Sequence, residues 1–236
     1  MSASTDLRAA PLAPERPAHA PDAAVRLKIT EIFRSLQGES DSVGFPTTFV
    51  RLTGCPLRCH YCDTAYAFHG GSWQSLGQVL ERVEALGTRH VCVTGGEPLA
   101  QKGARPLLGA LCDLGKRVSL ETSGAIGYHD VDPRVVRVVD VKTPGSGEEP
   151  RNLYDQLATL TERDQVKFVI TDRADYEWSR EQVAARGLAA RCTVLFSPSA
   201  DQLPARRLAD WILEDNLPVR FQLQLHKLLW GNVPGR

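Results

Sequence analysis

From residue 26 onward, short apolar runs alternate with longer stretches in which apolar residues return every three to four positions. The short runs are LKITEIF, TTFVRLT, HVCVTG, RVSLET, VVRVVDV, QVKFVI, CTVLFS and VRFQLQL, all of strand length and rich in β-branched residues. Helical spacing marks 75–86, where Leu76, Val79, Leu80, Val83 and Leu86 share one face, and recurs over 104–114, 153–160, 175–185 and 205–216. Apolar strands separated by amphipathic helices predict a parallel sheet with helices packed over it. The expected fold is α/β, a parallel-stranded, incomplete (partial) TIM-like barrel in a single domain over 26–236.

In such folds the chemistry collects at the C-terminal ends of the strands. Polar, glycine-bearing loops stand at those ends here. GC follows FVRLT, GGEP follows VCVT, ETSG follows RVSL, KTPGSG follows VVDV, and SPS follows TVLF. Five such ends predict one shared rim.

The first 24 residues break the pattern, with eight Ala, four Pro and no apolar core segment. They read as a flexible tail over 1–25 and not as a secretory signal. Lys+Arg and Asp+Glu both number 28, so the chain has no basic excess to attract nucleic acid. No apolar run reaches the roughly 18–20 residues that span a bilayer. A cytoplasmic location follows as an expectation, and with it six cysteines that are thiols or metal ligands, not disulfides.

Three of those cysteines crowd into RLTGCPLRCHYCDTAYAF, at Cys55, Cys59 and Cys62. A structural zinc ion would need a fourth ligand, for which His60 and His69 are the nearby choices, but the second Cys-x-x-Cys pair of a zinc ribbon is missing. Three thiolates suit an iron–sulfur cluster with one iron left open. Cys92, Cys112 and Cys192 fall on apolar strand or helix patterns and read as small buried residues.

The spacing C-x3-C-x-aromatic-C, here CPLRCHYC with Tyr61 in the aromatic slot, resembles the signature of the radical S-adenosylmethionine (SAM) superfamily, and GGEP at 95–98 strengthens the likeness. The resemblance implies the partial barrel typical of these enzymes and a 4Fe-4S cluster whose open iron binds SAM. Reductive cleavage of SAM would then yield a 5′-deoxyadenosyl radical. ITEIFRSLQGESDSVGFPTTFVRLTGCPLRCHYCDT, CVTGGEPL, LETSG and LQLHKLLW are similar to the 7-carboxy-7-deazaguanine synthase family, from about Lys28 to the end of the chain. That likeness implies a lyase acting on 6-carboxy-5,6,7,8-tetrahydropterin in 7-deazapurine (queuosine) biosynthesis, a tRNA modification pathway.

It also implies roles, position by position. Leu36, Gln37 and Gly38 match the substrate loop, Arg51 the arginine that pairs with the substrate carboxylate, and Thr94 a further substrate contact. Arginine suits a carboxylate because its planar fork makes two parallel hydrogen bonds. Thr64 matches a ligand of Mg2+, a hard ion that takes oxygen donors; taken alone it would be a turn residue. Tyr61, Cys62, Asp63, Gly96, Glu97 and Ser123 match SAM positions, with Glu97 expected to receive the SAM ammonium. Lys142, Thr143 and Pro144 stand where several relatives carry Ser-Pro-Lys, and Phe196–Ser199 is expected as a later SAM contact. His226 and Lys227 match the family's HK, and Pro234 is expected near the substrate. A homodimer and an external, flavodoxin-like electron donor are implied by the family alone. Two rival readings are a glycyl-radical enzyme activase, which shares the cysteine motif, and a zinc-stabilised binding protein without catalysis.

Overall fold

The computed structural model describes residues 24–231, 233 and 235. Nine strands form one sheet: β1 (Arg26–Leu36), β2 (Pro46–Leu52), β3 (Ser72–Ser75), β4 (His90–Gly95), β5 (Arg117–Thr122), β6 (Val136–Asp140), β7 (Gln165–Ile170), β8 (Thr193–Pro198) and β9 (Arg220–Phe221). Their order is β3-β1-β2-β4-β5-β6-β7-β8-β9. From β2 to β9 every pairing is parallel. At the other end β1 runs antiparallel to both β2 and β3. The sheet is an unclosed α/β half-barrel, as expected, but not parallel throughout. The short β3 hides in sequence because SWQS has no apolar run.

Helices α1 (Leu76–Ala85), α2 (Ala104–Asp113), α3 (Arg173–Ala185) and α4 (Ala205–Glu214) coincide with predicted segments. Ser75 starts α1 through a capping box: its side chain accepts from the Gln78 amide while the Gln78 side chain accepts from the Ser75 amide. Two expectations fail. Segment 153–160 forms a 3-10 helix over Tyr154–Thr159 that buries Leu157, with Leu160 just beyond it also in the core. VRFQLQL pairs with β8 only at Arg220 and Phe221, then leaves the sheet and becomes α5 (Leu225–Trp230).

Within the parallel strands, the period of two separates two environments. Val50, Leu52, Val91, Val93, Val118, Leu120, Val139, Val166, Phe168 and Ile170 enter the core beneath the helices. Phe49, Arg51, Thr94, Glu121, Val138, Asp140, Lys167 and Val169 face the concave side. Cys92, Cys112 and Cys192 are buried, as their patterns predict. Among the described residues, no helix is long and apolar enough to cross a membrane.

Candidate active site

The concave face and the strand-end loops enclose a cavity of about 560 Å3. Most sequence-predicted residues converge there: Leu36, Gln37, Arg51, Cys55, Cys59, Tyr61, Cys62, Asp63, Thr64, Thr94, Gly96, Ser123 and Lys142 all line it, as does Ser199. Gly38, Glu97, Thr143 and Pro144 do not, and Pro234 lies outside the described residues.

The three motif cysteines are half-buried on the cavity wall, whereas the other three are fully buried. Burial pushes the Cys59 thiol up to about 11 and raises Cys55 as well, so both hold their protons until a metal displaces them. Among the described residues, no three His, Cys, Asp or Glu side chains converge on a single-ion position. Cys55, Cys59 and Cys62 stand on one short loop and line the same cavity. Three thiolates of this kind fit a cluster with one iron left open.

The loop after β4 is pressed against this segment. The Glu97 amide donates to the Gly54 carbonyl at 2.8 Å. A Cβ on Gly96 would collide with Gly54 and lie 2.7 Å from Cys55 Cβ, so only glycine admits this approach. The Glu97 carboxylate points away from the cavity and is fully buried. It accepts from the Leu99 amide, the Thr122 hydroxyl, and the Ser123 amide and hydroxyl, at 2.6–3.0 Å. Glu97 thus ties the GGEP loop to the end of β5: where the sequence expectation has it facing the SAM ammonium, its carboxylate here meets these protein donors.

The loop after β6 is likewise divided between the cavity and its surroundings. Lys142 reaches the cavity, with Nζ 6.0 Å from the Tyr61 ring centre. Thr143 is fully buried and its hydroxyl lies within reach of the Val169 carbonyl and the Asp175 carboxylate, while Pro144 is exposed. Asp175, near the start of α3, also accepts from the Gly145 amide at 2.8 Å, anchoring the loop from behind.

On the opposite wall, Arg51 Nε donates to Glu31 at 2.7 Å, leaving both Nη groups without a protein partner among the described residues. Phe33 and Tyr66 flank the guanidinium. Gln37 Oε1 accepts from the Gly38 amide at 2.9 Å, whereas its buried Nε2 has no partner. Gly38 contacts the His226 ring, which occupies the space of its missing side chain. Thr64 donates its hydroxyl to Asp63 at 2.8 Å, and Asp63 pairs with Lys227 at 2.7 Å. Burial opposes the Asp63 charge, but Lys227 and Thr64 hold its carboxyl well below the usual range.

Sequence reading passed over five charged wall residues: Glu39, Glu121, Asp140, Lys167 and Asp201. Lys167 Nζ lies 2.7 Å from Glu39 and 3.6 Å from Asp140, which also binds Lys142 at 3.1 Å. Burial opposes the Lys167 charge, yet Glu39, Asp140 and Glu121 raise it well above the ordinary lysine value. Glu121 accepts from Thr94 at 2.9 Å. For Glu121, Asp140 and Lys167 the available signal was strand alternation, since a charge inside an apolar parallel strand must face a polar cavity or a partner; the loop residues Glu39 and Asp201 carry no such signal.

Comparison with known proteins agrees with this geometry. The Radical SAM superfamily matches residues 49–138, the span from β2 through the cysteine loop to β6. The 7-carboxy-7-deazaguanine synthase of Chlorobaculum tepidum is 45% identical, over 87% of this chain and 94% of that protein. Its counterpart from Koribacter versatilis is 42% identical, over 86% and 97%. The crystal structure of QueE from Escherichia coli superposes with a TM-score of 0.70 at 27% identity, covering 85% of this chain and 95% of that one. The chain belongs to the 7-carboxy-7-deazaguanine synthase family.

Proposed function

We propose that this chain is a radical SAM lyase that converts 6-carboxy-5,6,7,8-tetrahydropterin into 7-carboxy-7-deazaguanine and ammonia, within queuosine biosynthesis. Cys55, Cys59 and Cys62 would hold a 4Fe-4S cluster, which with SAM supplies one-electron bond cleavage and the hydrogen abstraction that starts ring contraction. The residues of the chain bind, orient and shield the reactants. Gly96 lets backbone approach the cofactor beside the cysteine loop, with Ser123, Lys142 and the Tyr61–Asp63 segment around it. The Arg51 Nη groups take the substrate carboxylate, held in place by Glu31 and by the flanking rings. Gln37 offers its unpaired amide donor to the pterin, and Thr94 closes that side. Thr64 presents a hydroxyl oxygen suited to Mg2+, which completes its shell with substrate and water.

The observation that carries this reading is the meeting of three half-buried thiols and an Arg51 fork across one enclosed cavity. The test is anaerobic reconstitution with iron and sulfide, followed by product analysis with carboxy-tetrahydropterin, SAM and a reductant. Formation of 7-carboxy-7-deazaguanine with one ammonia is expected. A colourless, zinc-containing protein without turnover would overturn the reading. An activase is disfavoured by the shared identity of the relatives over nearly their whole length. A cytoplasmic homodimer served by a flavodoxin-like donor, and one catalytic domain over 26–236, complete the proposal.

A further inference from the structure

The charged residues on the cavity floor form a chain, Glu39–Lys167–Asp140–Lys142, that spans both halves of the site. Asp140 and Lys167 are register partners on β6 and β7, so the sheet itself fixes their spacing. Glu39, from the loop after β1, is gripped from two sides. Lys167 Nζ donates to its Oε2 at 2.7 Å, and Gln224 Nε2 donates to its Oε1 at 2.6 Å. The backbone of the same loop is held independently of Lys167. The Leu225 amide donates to the Gly38 carbonyl at 3.0 Å, and the Ser40 amide to Gln222 Oε1 at 2.8 Å. What depends on Lys167 is therefore the aim of the Glu39 side chain.

A carboxylate offers about four acceptor positions, and the protein occupies two of them here. The others remain for donors in the cavity that Glu39 lines. A 2-amino-4-oxopterin carries ring and amino N–H donors. A buried carboxylate that loses its cationic partner is destabilised and free to turn away. We propose that Lys167 is a positioning residue for the pterin, keeping the Glu39 carboxylate aimed as an acceptor for its N–H edge. This rests on the functional reading above.

The structure also predicts which half of the site feels the loss. Lys142 keeps its own contact with Asp140 when Lys167 is removed, so the SAM side is spared. The experiment measures equilibrium binding of carboxy-tetrahydropterin and of SAM to reconstituted Lys167→Met, Lys167→Arg, Glu39→Gln and Lys167→Met/Glu39→Gln enzymes, alongside melting temperature. Lys167→Met should weaken pterin binding about ten- to hundredfold, as the loss of a charge-assisted contact does. SAM affinity should stay near wild type. The double variant should bind the pterin no worse than the weaker single, because both changes remove one device. Lys167→Arg should restore much of the affinity. Unchanged pterin binding in Lys167→Met, or additive losses in the double variant, would overturn the inference while leaving the lyase reading intact. Equal loss of pterin and SAM with a lowered melting temperature would also overturn it, by marking a purely structural lysine. A wild type that binds no carboxypterin would overturn the lyase reading, and this inference with it.

Discussion

Single side chains in this protein do different work according to what surrounds them. Arg51 is held through Nε by Glu31 and leaves its forked end to the cavity. Arg51→Lys keeps the charge and loses the fork, so carboxypterin affinity should fall about ten- to a hundredfold, from 1.5–3 kcal/mol for a charged hydrogen bond. Cluster content should stay normal, which iron and sulfide assays would check. The cysteines divide in the same way. Cys59→Ala should abolish the visible absorbance of the reconstituted cluster, whereas Cys112→Ala should cost only packing stability, because Cys112 is buried in the core. Asp164 illustrates a charge used for folding. It is buried, bridges to Arg137 at 2.6 Å, and also accepts from Thr161. Burial alone would raise its pKa, but the Arg137 and Thr161 bonds lower it below 3.8. Its contribution is therefore complete above that unfolded value and lost as pH falls through the lower folded one. Asp164→Asn should cost about 2 kcal/mol at pH 7. The gap from wild type in thermal melts should close only in strong acid.

At the scale of elements, the site is a set of strand-end loops buttressed from behind. Glu97 joins the loop after β4 to the end of β5, and Asp175 ties the loop after β6 to α3. The tightest junction is Gly96 against Gly54 and Cys55. Gly96→Ala must push the cysteine loop outward, since the obstructing atoms include backbone. Overpacking of this kind costs roughly 1–3 kcal/mol. The expected outcome is a lower melting temperature and less iron per chain after reconstitution; full cluster occupancy would show that the two loops can separate freely. These loops were readable as motifs, but their division of labour was not. Thr143 and Pro144 share a motif with Lys142, yet only Lys142 reaches the cavity: Thr143 follows it in extended backbone and turns to the other side, and Pro144 opens the 3-10 turn Pro144–Ser146.

For the whole molecule, the described residues on the cavity wall fall between Phe33 and Lys227. The Ala/Pro-rich composition of residues 1–23 offers little apolar surface to offset the entropy of ordering them, so removing them should leave turnover and iron content unchanged; a marked loss of activity would place that segment at the site. The local chemistry was determined by sequence alone. Thiol spacing, the glycine loops and strand periodicity are set by neighbours along the chain, so Cys55, Cys59 and Cys62, the rim of strand ends and the half-barrel could be read directly. The antiparallel end at β1 and β3, the departure of residues 222–225 from the sheet, the inward burial of Glu97 and the Glu39–Lys167–Asp140–Lys142 chain were decided only by tertiary structure. Each depends on a partner far away in sequence, as when Lys167 meets Glu39 across 128 positions. A buried charge is defined by the partner that compensates it, and no local pattern names that partner.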